Sequence, residues 1–329
     1  MTDKISAAIV GFGRWGQLLH QGSIDCRHLQ VTHAVTRSPE KVSDYCTQHN
    51  LILSHDIDEV LQNDAVDALI IATPHTQHYG QLMDAAAANK HVYCEKPFTL
   101  SGDQASTALS SMRAAGCTVA IGHNRRFAPN TLALRNMIDT GWFGDLVHID
   151  GIFNASMAQA KDRWRDSVEE SPAGGMTSLG IHVVDMFINL MGPVDRLSAI
   201  SERIAPHCNF DDNTTAAMWF KNGARGHLTT LTSTAMRWQI TLYGTKGWAE
   251  LRDLDTLVIT PVDGDQEQVH YPGYDYPAIA TLTSALDAFA SDVKGITPFP
   301  ISPDEIEHAT RILESIIQSS QSGELIRIS

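Results

Sequence analysis

The chain has 329 residues, more than a single domain commonly holds, and its 24 Lys and Arg against 38 Asp and Glu leave a net charge of −14. A surface of that sign disfavours a nucleic-acid backbone, and no apolar run approaches the roughly 18 residues that a membrane helix needs. A composition that is 43% hydrophobic and 19% charged is that of a folded chain. The five cysteines (Cys26, Cys46, Cys94, Cys117 and Cys208) are odd in number and show no paired metal spacing. They read as free thiols in a reducing cytoplasm, and Met1-Thr2-Asp3-Lys4 leads into a strand-like run with no signal-peptide pattern.

In chain order, Ile5 to Val10 is β-rich and ends at Gly11. Further short apolar runs follow at Val31 to Thr36, Val66 to Ala72, His91 to Cys94 and Cys117 to Ile121, with helical spacing between them, as at Leu82, Met83, Ala86 and Ala87. Strands alternating with helices predict βαβ units and a parallel sheet covered on both faces. Past Asn124 the rhythm changes. A helix from Asn130 to Asp139 precedes Leu146 to Phe153, and Thr214 to Phe220, Ala224 to Thr232 and Trp238 to Tyr243 alternate as half-buried strands. Asn222-Gly223 and Gly244-Thr245-Lys246-Gly247 are hairpin signals, so a mainly antiparallel sheet is expected there. Near the end, Ser302, Pro303 and Glu305 form a capping box for a helix over about 303–320 that Gly323 stops. The expected division is therefore 1–124 and 125–329.

Gly11-Phe12-Gly13-Arg14-Trp15-Gly16 follows the first strand and opens a helix, the setting in which GxGxxG binds a dinucleotide pyrophosphate through backbone amides and the helix dipole. At the end of the second run stands Thr36-Arg37-Ser38, with no carboxylate to bind a ribose 2′-hydroxyl. A guanidinium fork and two hydroxyls suit a 2′-phosphate, so NADP(H) is favoured, with NAD(H) possible if Arg37 stacks on adenine.

Three more segments complete a pattern. Ala72-Thr73-Pro74-His75-Thr76-Gln77-His78 follows one strand-like run, Cys94-Glu95-Lys96-Pro97 ends the next, and Gly174-Gly175-Met176-Thr177-Ser178-Leu179-Gly180-Ile181-His182-Val183-Val184-Asp185 opens a helix. With the glycine loop they resemble, over nearly the whole chain, the glucose–fructose oxidoreductase/inositol dehydrogenase (Gfo/Idh/MocA) family. The resemblance implies an N-terminal Rossmann domain and a C-terminal α/β domain with an open, mostly antiparallel sheet. It also implies NAD(P)-dependent oxidation of a hydroxyl or reduction of a ketone on a sugar, polyol or related cyclic diol, and a homodimer or homotetramer formed through that sheet. Thr73, Pro74 and His78 match the family's cofactor-lining loop, and Glu95 would orient the cofactor or the lysine.

Lys96, at the carboxyl end of a parallel strand, could donate a proton to a ketone oxygen. His182 is by resemblance the second proton-handling group. Asp185, three residues on, could fix its tautomer. Many family members have an aspartate four residues before this histidine. Here it is Ser178, which can hydrogen-bond a substrate oxygen but is no carboxylate base. Asn124 and Arg125, in Gly122-His123-Asn124-Arg125-Arg126-Phe127, resemble a segment near nicotinamide and substrate, and Arg163-Trp164-Arg165 resembles a loop that reaches the active site. Asn124, Arg125, Arg165, Ser178, His182 and Asp185 are thus candidate substrate contacts. No third ligand stands near the His-x-x-Asp pair, so no metal is expected. The competing expectation is a catalytically inactive, dinucleotide-sensing regulator of the same fold.

Overall fold

The computed structural model describes residues 4–205, 207–274 and 279–328, so the opening Met1-Thr2-Asp3 lies outside the described residues. The chain divides into two compact units, one of Met1–Asn124 with Tyr276–Ile306 and one of Arg125–Asp275 with Glu307–Ser329.

The first unit runs β1 (Ile5–Val10), α1 (Arg14–Ser23), β2 (Leu29–Val35), α2 (Ser43–Gln48), β3 (Ile52–Ser54), α3 (Asp58–Leu61), β4 (Ala68–Ile71), α4 (His75–Ala87), β5 (His91–Cys94), α5 (Gly102–Ala114) and β6 (Val119–Ile121). The strands form one parallel sheet in the order β3-β2-β1-β4-β5-β6. The order reverses between β1 and β4, which opens a crevice beyond the carboxyl ends of those strands. All four residues of β4 are buried, as a strand covered on both faces requires. The edge strand β3 has only three residues, too few to show a period in sequence.

The second unit contains α6 (Pro129–Asp139), β7 (Leu146–Asn154), α7 (Ile181–Met191), β8 (Val194–Glu202), β9 (Asn213–Phe220), β10 (Arg225–Leu231), β11 (Arg237–Gly244), β12 (Gly247–Arg252), β13 (Thr256–Pro261) and β14 (Glu267–His270). After them come α8 (Ile279–Val293), α9 (Pro303–Ser322) and β15 (Ile326–Arg327). Nine strands pair in the order β14-β13-β12-β11-β7-β10-β9-β8-β15, all antiparallel except β7 with β10. The Asn222-Gly223 turn joins β9 to β10, with Gly223 at φ +95°. One sheet face is apolar: Ala216, Met218 and Phe220 of β9 share a core with Leu134, Val183, Val184 and Phe187 and with Ile312, Leu313 and Ile316 of α9. Alternate residues such as Thr215, Ala217 and Trp219 are only partly buried, on the other face.

The expected continuous second domain, 125–329, is corrected by α8. Its apolar stripe (Leu282, Ala285, Leu286, Phe289) is buried within the first unit. There Phe289 meets Tyr93 with ring centroids 6.0 Å apart, Asp287 accepts the His28 amide at 2.9 Å, and the Thr283 carbonyl accepts Cys26 Sγ at 3.5 Å. An amphipathic stripe buries itself on whichever surface it matches, whatever the chain order. The capping box at α9 forms as the residues require: the Ser302 amide donates to Glu305 Oε2 at 2.9 Å and the Glu305 amide to Ser302 Oγ at 3.3 Å.

Two histidines, buried His20 and partly buried His308, make stability depend on pH. Burial pushes His20 and His308 down to about 4 from 6.5, helped by His49 near His20 and Lys221 near His308. His308 Nε2 accepts the Val194 amide at 2.9 Å, which only an unprotonated nitrogen can do. Between those two pH values the unfolded chain binds more protons than the folded one, so stability should fall as pH drops from 6.5 towards 4. Urea midpoints measured across that range should decline, and His308→Gln should flatten the decline. An unchanged slope in the variant would assign the loss to other groups.

Candidate active site

The glycine turn lies at the switch point of the parallel sheet. Gly11 adopts φ +94°, and a Cβ there would fall 2.6 Å from the Ala72 carbonyl and 2.8 Å from the Thr73 nitrogen. Only glycine lets β1 turn so close to the end of β4. The Gly11 and Phe12 amides are spent on the Val35 carbonyl at 2.9 and 3.1 Å, and the Gly13 amide donates to the Gly11 carbonyl at 2.8 Å. What remains is the start of α1, which begins at Arg14 and Trp15 with no side-chain cap and no acidic residue in its first turn. First-turn amides have no acceptor inside the helix, so a positive dipole end stands uncompensated. A Cβ on Gly13 would meet nothing within 4 Å. Open space over an uncapped helix start fits a pyrophosphate. The Phe12 side chain turns away from this space. Its ring is fully buried against Tyr45 and His20, with centroids 5.7 and 6.3 Å away.

At the end of β2, Arg37 is exposed, and its guanidinium has no side-chain partner among the described residues. The Thr36 hydroxyl accepts the Ser38 amide at 3.4 Å. This corner therefore offers an uncommitted cation and no carboxylate.

Past β4, Pro74 precedes α4 and the Thr73 hydroxyl donates to Gln81 at 2.7 Å. His78, expected in the cofactor-lining loop, lies beneath it. It is fully buried, with Nδ1 2.9 Å from the Pro97 carbonyl and Nε2 3.1 Å from the Thr73 carbonyl. It ties the loop after β4 to the loop after β5. The second of these loops holds Glu95, which is buried, then Lys96, which is partly exposed, and a cis Lys96–Pro97 peptide. Gly122 makes room for the Glu95 carboxylate, since a Cβ there would lie 2.6 Å from Oε1. The Asn124 amide nitrogen donates to the Thr281 hydroxyl at 2.7 Å, which anchors Asn124 to α8.

In the second unit the predicted helix start is a π-helical turn, Met176–Gly180, that runs into α7. Ser178 sits buried on the turn, and His182 is buried in the first turn of α7 with its ring 5.8 Å from that of Phe153. Asp185, a candidate substrate contact in the sequence, is committed to an ion pair in the structure. It is 2% exposed and takes the Arg126 guanidinium in a fork, with Nε 2.9 and 3.1 Å and Nη2 2.7 Å from its oxygens. Arg125 is engaged too, its guanidinium 4.4 Å from the Phe153 ring and 4.2 Å from the Trp238 ring. Arg165 stacks on Trp164 at 4.0 Å. That turn is braced by Asp166, which accepts the Asp162 amide at 3.0 Å and both the amide and side chain of Asn209 at 2.6 and 3.0 Å. The backbone bonds from Asn209 and Asp162 hold its carboxyl below the usual range. Phe153, Trp238 and Asn209 had no local sequence signal, because they act from strands and loops far along the chain.

A parallel six-stranded sheet with an uncapped, glycine-gated helix start at its switch point defines a dinucleotide-binding Rossmann unit. Residues 5–123 match the model described as "Oxidoreductase family, NAD-binding Rossmann fold", and residues 131–250 match "GFO/IDH/MocA C-terminal domain". The chain belongs to the Gfo/Idh/MocA oxidoreductase family. It is 27% identical over 192 residues to scyllo-inositol 2-dehydrogenase (NADP(+)) IolW of Bacillus subtilis, covering 58% of this chain and 53% of that protein. The chain thus spans about half the length of that relative. It is 25% identical over 227 residues to the trans-1,2-dihydrobenzene-1,2-diol dehydrogenase of Bos taurus, covering 68% of this chain and 66% of that one. The fold matches levoglucosan dehydrogenase in complex with NADH at a TM-score of 0.92 and 16% identity, over 99% of this chain and 100% of that one.

The two loop glycines should separate stability from binding. Gly11→Ala should lower the unfolding midpoint and abolish cofactor binding, because backbone must move. Gly13→Ala should leave the midpoint within about 1 °C, by analogy with surface changes worth under ~0.5 kcal/mol, yet weaken NADPH binding at least tenfold. Thermal melts and NADPH fluorescence titration would check both, and tight binding by Gly13→Ala would rule out the open space above Gly13 as the pyrophosphate seat.

Proposed function

We propose that the protein is an NAD(P)-dependent dehydrogenase or reductase that acts on a CH–OH or ketone carbon of a sugar, polyol or related cyclic diol, with NADP(H) preferred. The observation that carries this reading lies within the first unit. The glycine turn abuts Thr73, His78 ties Thr73 to Pro97, and Lys96 precedes that proline with its side chain only partly buried. An ammonium is thereby fixed at the same end of the sheet as the dinucleotide cradle. Bound there, the nicotinamide ring would supply or accept a hydride. Lys96 would give its proton to the ketone oxygen in reduction and polarise the hydroxyl in the reverse direction. His182 is proposed as the second proton-handling group and Ser178 as a hydrogen-bonding partner of the substrate oxygen. The buried Glu95 would hold the Lys96 loop in register.

The preference for NADP(H) rests on the uncommitted Arg37 and the missing carboxylate at the end of β2. The NADP(+) named for the Bacillus relative is consistent with it, while the levoglucosan dehydrogenase complex contains NADH. The five cysteines are all free, which suits a reducing compartment such as the cytoplasm. The partly buried outer face of the nine-stranded sheet is the proposed contact between copies, in a homodimer or homotetramer. Sedimentation would read that state.

The test is turnover of scyllo-inositol, levoglucosan and trans-1,2-dihydrobenzene-1,2-diol with NADP+ and NAD+. Turnover of at least one is expected, and Lys96→Met should lower kcat by about 10² to 10⁴ with NADPH affinity retained. Arg37→Ala should raise KM for NADP+ at least tenfold and leave that for NAD+ nearly unchanged. Tight cofactor binding with no turnover of any hydroxyl or ketone substrate would instead favour the regulatory role.

A further inference from the structure

We propose that the buried Arg126–Asp185 pair is a positioning device that sets the rotation of α7 and thereby the direction of the His182 imidazole; this rests on the reading of His182 given above. α7 has no exposed polar face. Every residue from Ile181 to Met191 except Asn189 is buried, so the helix has no polar stripe to define which side faces the sheet. Apolar burial is non-directional and would tolerate rotation or sliding of such a helix. The π-helical turn before it, Met176–Gly180, departs from regular α-helical bonding just where His182 needs a fixed approach.

Asp185 supplies the missing direction. It lies one turn beyond His182 on the same side of α7, and both its oxygens are held by the planar fork of Arg126. A fork fixes orientation as well as distance. A buried ion pair is weak evidence for stability, because two apolar side chains of similar size often serve as well, and register is its best-attested use. The neighbouring residue works on the same point from another side. Arg125 stacks on Phe153 and Trp238, and Phe153 is the ring against which His182 rests. Two consecutive arginines at the start of the second unit thus fix the helix that carries His182 and the surface its ring leans on.

The test reads the imidazole itself. In full-length protein with nitrogen-15-labelled histidine, the ring signals of His182 are assigned among the 15 histidines by their loss in His182→Gln. The expected result is one tautomer in the parent protein and in Asp185→Glu. In the apolar pair Arg126→Met/Asp185→Leu the His182 signals should shift or average, while NADPH affinity stays within twofold. On whichever substrate the parent turns over, kcat should fall roughly 10- to 100-fold, as expected for a displaced catalytic group, with little change in KM. Unmoved His182 signals in the apolar pair would overturn the proposal. Should that pair fail to fold, Asp185→Asn and Arg126→Lys are read in the same way, and collapse of all three would make the pair a folding requirement and likewise overturn it. If the signals move but His182→Gln keeps full turnover, the positioning stands and the functional reading of His182 falls.

Discussion

The contact between Gly11 and the backbone at Ala72–Thr73 is the constraint on which the rest of the first unit depends. With no Cβ, the chain leaves β1 by a left-handed turn that lies against the end of β4. That turn starts α1 at the switch point, with its first amides unspent and its dipole uncompensated. The same end of the sheet receives Lys96 through a second constraint, the His78 ring lodged between the Thr73 and Pro97 carbonyls. An imidazole reaches a carbonyl only through an N–H, of which its neutral form has one, and leaving a buried hydrogen bond unmade costs about 1–3 kcal/mol. Rigidity here comes from contacts made to the backbone, and the exposed Arg37 side chain stands outside them.

The second unit solves a different problem. Its nine-stranded sheet buries one face under α6, α7 and α9 and must still hold one polar side chain, His182, in a fixed attitude inside an apolar helix. Ion pairing and stacking do this where packing alone would not. Arg126 is paired with Asp185, and Arg125, a candidate substrate contact, stacks on Phe153 and Trp238. Positive charge near a candidate site therefore need not mean anion recognition. Asp166 provides a comparable brace on the turn that carries Arg163 and Arg165, by accepting backbone amides from two separate stretches of chain.

Much of this organisation is legible in local sequence. GxGxxG after a strand, Asn-Gly between alternating runs, and the Ser302–Glu305 box each depend on residues within a few positions, so their physics is complete in a short window. The short edge strand β3 is not legible because three residues carry no period, and the place of α8 in the first unit is not legible because an amphipathic stripe does not name its partner.

By itself, then, the sequence determined the Rossmann frame, the hairpins of the second sheet, and the residue types that can bind a dinucleotide and move a proton. Only the tertiary structure decided which of those residues are spent on the fold. Phe12 is packed away, His78 is a tie between loops, Asp185 is the counter-ion of Arg126, and Arg125 is stacked between two rings. The physical reason is that a polar or aromatic side chain is committed by whatever reaches it in space. Phe153, Trp238 and Thr281 arrive from strands and helices far along the chain, where no motif spacing can announce them.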